Sequence, residues 1–106
     1  MRNIFDISNV DFDKGEFFET IYSQGNIKIE RIVSLGHSSP DGFWYDQEEY
    51  EWVVLLRGKA KLKFYEEGKI IELNPGDGIL IAPHQKHRVE WTDPYGPTIW
   101  LAVFFK

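Results

Sequence analysis

Residues 42–58 read GFWYDQEEYEWVVLLRG, and the alternation in the second half of this stretch decides the fold. In an extended chain successive side chains swap faces. Tyr45, Gln47, Glu49, Glu51, Val53 and Leu55 therefore share one face, and Asp46, Glu48, Tyr50, Trp52, Val54 and Leu56 share the other. A strand that turns Val53 and Leu55 into a core carries Gln47 and Glu51 in behind them. Burying a carboxylate is costly unless a hydrogen bond, a positive charge or a metal meets it. The functional question is what meets Glu51.

Outward from this stretch the chain reads as short strands separated by turn formers. On the N-terminal side, residues 1–15 are mixed and acidic and form an arm with room for one short strand. Residues 16–22, EFFETIY, are rich in aromatic and β-branched residues and predict a strand. A second strand over residues 27–34, IKIERIVS, puts Ile27, Ile29, Arg31 and Val33 on one face. LGHSSPDG, residues 35–42, is a loop holding His37.

On the C-terminal side, Gly58-Lys59 turns into AKLKFY, where Ala60, Leu62 and Phe64 alternate with Lys61, Lys63 and Tyr65. Glu66-Glu67-Gly68 and Asn74-Pro75-Gly76-Asp77 are turns flanking a short strand. GILIA, residues 78–82, is a strand closed by Pro83, and the strand from His87 to Trp91 puts His87, Val89 and Trp91 on one face. TIWLAVFF, residues 98–105, is apolar on both faces. No segment keeps a 3.6-residue apolar period. Eight or nine short strands predict an all-β antiparallel sandwich or barrel.

The 106 residues predict a single domain. Cysteine is absent, which excludes disulfides, thiolate metal sites and a thiol nucleophile and suits a reducing cytoplasm, the expected location. No secretory or membrane-length apolar run is present. The net charge of −5 and the lack of a Lys/Arg cluster make nucleic acid and membrane unexpected partners. Aromatics make up 16 % of the chain, enough for a broad core, a pocket wall or an interface.

Two spaced sets of residues resemble the cupin superfamily, small antiparallel double-stranded β-helices of jelly-roll type. Glu51 and Gly58 have the spacing of the end of its first motif. Gly76-Asp77, Pro83 and His87 fill its second motif, with the Pro-to-His gap one residue short. The resemblance covers residues 30–105 and looks closest to small single-domain bacterial cupins of unassigned function. It implies a cupin barrel over 1–106 with residues 1–15 as the arm, a homodimer, and a site at the barrel mouth. Metal-binding members take two His and a Glu from the first motif and a His from the second. Tyr45 and Gln47 stand at the two first-motif His positions here, so only Glu51 and His87 match that ligand set.

The residues leave three functions open. The first is binding of a small polar molecule by Tyr45, Gln47, Glu51 and His87, with or without a weakly held metal. The second is a metal-dependent oxygenase or isomerase, the metal being Mn, Fe, Ni or Zn and its candidate ligands Gln47, Glu51, His87 and His84. The third is a metal-free isomerase or lyase in which His87 and Tyr45 form an acid/base pair. Each residue also has a plainer role. Glu51 can be a buried carboxylate held by Arg31 or Tyr45, and His87 a hydrogen-bonded core residue. His84 and His37 can be solvated loop residues. Phe43, Trp44, Trp52 and Trp91 are candidate pocket walls, but Trp52 is on the opposite face from Glu51, which favours a packing or dimer contact. Trp100 and Phe104 share one face of the last strand, of which one face fills the barrel and the other meets a partner sheet or subunit.

Overall fold

A computed structural model describes all residues, 1–106. The elements run, after a 3-10 turn at Phe12–Lys14, as β1 (Phe17–Gln24), β2 (Ile27–Ser34), β3 (Tyr50–Arg57), β4 (Ala60–Phe64), β5 (Ile70–Leu73), β6 (Gly78–Ile81), β7 (His87–Thr92) and β8 (Thr98–Phe105), with a second 3-10 turn at Glu66–Gly68. All pairings are antiparallel. A five-stranded sheet in the order β1-β2-β8-β3-β6 faces a three-stranded sheet in the order β5-β4-β7. This is the antiparallel barrel that the strand pattern allows, of the jelly-roll type that the resemblance implies. The arm forms no strand, which leaves eight. No helix is long and apolar enough to cross a membrane.

The core follows from alternation. Glu51, Val53 and Leu55 of β3 point inward and are buried, while Trp52 between them is 42 % exposed. Ala60, Leu62 and Phe64 of β4 meet them from the facing sheet, joined by Ile81, Trp100 and Ala102. Burying a large apolar side chain contributes roughly 1.5–3 kcal/mol, so these residues hold the two sheets together. The turn between β3 and β4 needs Gly58: its φ is +91°, and a Cβ there would lie 2.7 Å from Thr98 Cα.

Two expectations change at the level of individual strands. The first-face alternation does not run through one continuous strand, because β3 begins at Tyr50 and Tyr45 pairs separately with His87. The chain between them bends across one end of the barrel, where His84 N–H donates to the Gln47 carbonyl at 2.7 Å. Trp91 does not share the inward face of His87 and Val89. The register of β7 against β4 slips, with Val89 opposite Leu62 and Trp91 opposite Lys61, and such a bulge flips the following side chains. Trp91 instead lies outside beneath the Lys61 ammonium.

Arg31 does not reach Glu51. It points to the outer face of β2 at 1 % exposure, under the N-terminal arm. There Nη1 donates to the carbonyls of Ile4 and Asp6 at 3.1 and 2.5 Å, and Nε lies 3.1 Å from a Glu19 carboxylate oxygen. The arm is thus fastened to the sheet through one buried guanidinium.

Candidate functional site

One end of the barrel encloses a cavity of about 60 Å3, room for more than one water molecule. Its polar wall is Tyr45, Gln47, Glu51 and His87, the four residues named from the two motifs, joined by Glu16 and Glu30. The rest of the lining is apolar: Phe18 and Ile32 from β1 and β2, Trp100 and Phe104 from β8, and the core residues Val53, Leu62, Ile81 and Val89.

Glu51 and His87 arrive from different sheets. Parity with Val53 turns Glu51 in from β3, and parity with Val89 turns His87 in from the start of β7. They are 7 % and 4 % exposed, and His87 Nε2 lies 3.4 Å from Glu51 Oε1. The Gln47 side-chain N–H donates to the same Oε1 at 3.2 Å, whereas Glu51 Oε2 has no hydrogen-bond partner in the chain. His87 Nδ1 sits 2.9 Å from the carbonyl of Gln85. A carbonyl only accepts, so Nδ1 carries a hydrogen and a neutral ring turns the lone pair of Nε2 toward Glu51. Two lone pairs facing each other need a proton or a donor between them. An N–H or O–H brought to this pair would find two acceptors side by side.

Tyr45 is held against His87 twice. Their backbones exchange hydrogen bonds of 2.7 and 3.2 Å, and their rings stack with centroids 5.4 Å apart. Burial, with the nearby Glu16 and Glu51 carboxylates, pushes the Tyr45 hydroxyl up to about 12. It stays protonated at neutral pH and has no partner in the chain, which leaves it free to donate.

The second-motif His84 does not join the cluster. Its ring is exposed and its Nδ1 lies 2.7 Å from Asp46 Oδ1, in an open groove on the outer surface beside Tyr65 and Lys86. It acts on the site only through the backbone bond that fixes Gln47. With His84 outside, the four candidate ligands named from the sequence reduce to the Glu51 carboxylate, the His87 imidazole and the Gln47 amide, whose N–H is turned to Glu51. No three His, Cys, Asp or Glu side chains converge in a metal-holding group. A catalytic zinc commonly has three strong protein ligands, and this donor set does not fit a resident divalent ion.

The cupin-domain family profile matches residues 33–104. The chain belongs to the cupin family. Among solved structures this cupin is similar over its whole length to a Ralstonia eutropha JMP134 protein provisionally assigned as a mannose-6-phosphate isomerase, with 37 % identity, 97 % of that chain covered and a TM-score of 0.91. A cupin superfamily protein of Desulfitobacterium hafniense DCB-2 matches 85 % of the chain and 76 % of its own at 16 % identity and TM-score 0.71. The polyketide cyclase RemF of Streptomyces resistomycificus matches 87 % and 66 % at 18 % identity and TM-score 0.74. These last two share the fold. No curated protein sequence matches the chain.

Glu16 and Glu30 are the cavity residues that motif reading misses. Glu30 lies on β2 with Ile32 and Ser34, on the face opposite Ile29, Arg31 and Val33. Both faces of that strand are buried, one by the barrel and one by the arm, so apolar alternation does not mark the inner one. Glu16 precedes β1 and accepts a hydrogen bond from Ser34 Oγ, which itself accepts from the Trp100 indole at 3.3 Å. Burial pushes its carboxyl above the ordinary value of 4.5, and Glu30 adds to the shift while Ser34 and His37 oppose it. Of the aromatics near the barrel mouth, Phe43 and Trp44 are not pocket walls. Phe43 packs edge-on against Tyr45 from outside and Trp44 against Tyr65. The walls are Phe18, Tyr45, Trp100 and Phe104.

Proposed function

We propose that this cupin binds a small polar molecule in the cavity at the barrel mouth. The reading is carried by the polar atoms left open there. Glu51 Oε2 and the Tyr45 hydroxyl have no partner in the chain, and His87 Nε2 faces a carboxylate oxygen across a gap that one donor would bridge. A buried polar group without a partner costs about 1–3 kcal/mol, so a cluster kept only for folding would be closed internally. A binding site gains by leaving it open to a ligand. Thermal-shift screening with small polar metabolites tests this. A ligand raises the melting temperature of wild type as its concentration passes Kd, and Tyr45→Phe and Glu51→Gln lose most of that shift. Equal shifts in wild type and both variants would move the binding elsewhere.

A metal-free isomerase or lyase is the second reading, favoured by the fixed Nδ1–H tautomer of His87 beside a protonated Tyr45. His87 would take a proton at Nε2 and Tyr45 would donate one from its hydroxyl. Turnover that survives both His87→Gln and Tyr45→Phe sinks this assignment.

We also propose a homodimer, as the family resemblance implies. Its support is the outer face of the five-stranded sheet, where Trp52 and Leu80 sit opposite each other and Tyr50 stacks on Phe105. Trp52 is packed onto Gly78, where a Cβ would meet its ring at 2.6 Å, yet Leu80 stays 51 % exposed. A second copy would cover this face. Sedimentation showing a monomer at micromolar concentration is the adverse result.

A further inference from the structure

The cavity's charge is one-sided. Its lining holds three carboxylates, from Glu16, Glu30 and Glu51, one imidazole and neither lysine nor arginine. Nine of its fourteen lining residues are hydrophobic, so the acids stand in an apolar setting where charge is weakly screened. Two further observations say what they face. Glu51, whose side chain is nine-tenths buried, presents Oε2 with no partner in the chain. At the rim the chain's own Lys28 ammonium lies 5.1 Å above the Phe104 ring centroid and 3.4 Å from Glu30 Oε2. Phe104 and Glu30 both line the cavity. A tethered ammonium thus already uses an aromatic face and a carboxylate of this lining, the two contacts that attract cationic nitrogen.

Resting on the small-molecule reading above, we propose that the ligand of this cavity carries a protonated amine on a small apolar body. The ammonium sits among Glu30, Glu51 and the aromatic walls, donating to Glu51 Oε2, and the apolar body packs on Ile32, Val89 and Trp100. The indole N–H of Trp100 is taken by Ser34, so that side chain offers its ring and no donor. A phosphorylated sugar, the substrate type named for the Ralstonia relative, meets three acids and no lysine or arginine in this lining, and the one ammonium at the rim, Lys28, is already paired with Glu30. Lys28 is a tethered competitor for the same contacts.

The test is an amide NMR titration of the full chain with isobutylammonium, isobutanol, isobutyrate and mannose 6-phosphate, following Glu30, Tyr45 and His87. Isobutylammonium is expected to bind about tenfold tighter than isobutanol, a difference of about 1.4 kcal/mol, and the two anions are expected to leave these signals in place. Lys28→Met, which removes the competitor, tightens amine binding, and Glu30→Gln weakens it about tenfold. Both variants are checked for native amide dispersion first, and the wild-type titration stands without them. If the alcohol or either anion binds as tightly as the amine, or if the two variants move affinity the same way, the amine assignment is overturned while the cavity remains a ligand site. If all four probes leave the three residues unmoved, the amine assignment and the small-molecule reading fall together.

Discussion

Arg31 and Glu51 are both charged, both nearly invisible to solvent and both on central strands of the same sheet. The protein treats them differently. Arg31 spends its guanidinium on two arm carbonyls, the Asn9 side chain and Glu19. Glu51 uses one oxygen on Gln47 and His87 and leaves the other open to a cavity. Burial alone does not distinguish the two charges. What differs is where their polar atoms point: those of Arg31 all face groups of the chain itself, whereas one oxygen of Glu51 faces the cavity.

The largest expected effect that could break this comparison is on the structural side. Arg31→Ala should lower unfolding free energy by about 3 kcal/mol, as removing one partner of a buried charged network does, with urea denaturation as the measurement. Glu51→Gln, at matched burial, should change stability by less than about 1 kcal/mol, and a loss as large as that of Arg31→Ala would erase the distinction. Tyr45 comes next. An unfolded chain ionises its tyrosines near 10, whereas the folded chain keeps this proton to about 12. Stability contributed by the neutral phenol is therefore full below pH 10 and falls as pH rises from 10 toward 12, and Tyr45→Phe should lose that slope. Phenolate absorbance should show one late tyrosine in wild type that is missing from the variant.

Glu16 is a smaller test with the same sign. Its folded carboxyl is raised above 4.5, so its contribution is full below that pH and declines as pH climbs through the folded value. Glu16→Gln should flatten stability against pH in that window, as read by thermal melts. The smallest effect concerns metal. With no three His, Asp or Glu side chains converging on one point, treatment with a chelator should leave the melting temperature unchanged, and a fall of several degrees would restore the metal reading.

The fold was legible because Val53, Leu55, Ala60, Leu62 and Phe64 alternate cleanly and turn residues separate the strands. Glu51 and His87 were legible through their parity with apolar neighbours and the spacing of the two motifs. Their meeting depends on strands from different sheets, which spacing alone does not show. Glu30 was hidden by a strand buried on both faces, and Arg31, on that strand's outer side, was free to be read as a partner for Glu51. Trp91 was misplaced by a bulge at Glu90 that no single residue announces. His84 carries the right side chain in the right turn, but its left-handed backbone, with φ of +59°, belongs to a sharp turn whose ring pairs with Asp46 at the surface.

Arg31 and Glu30 are consecutive residues, one gripping the first residues of the chain and the other lining the cavity. The leading segment is therefore one strand's thickness from the cavity. Deleting residues 1–9, or pulling on them with a fused partner, would loosen the guanidinium's grip and let that strand shift, so a change made on the outside of the barrel would be read out as altered affinity within it.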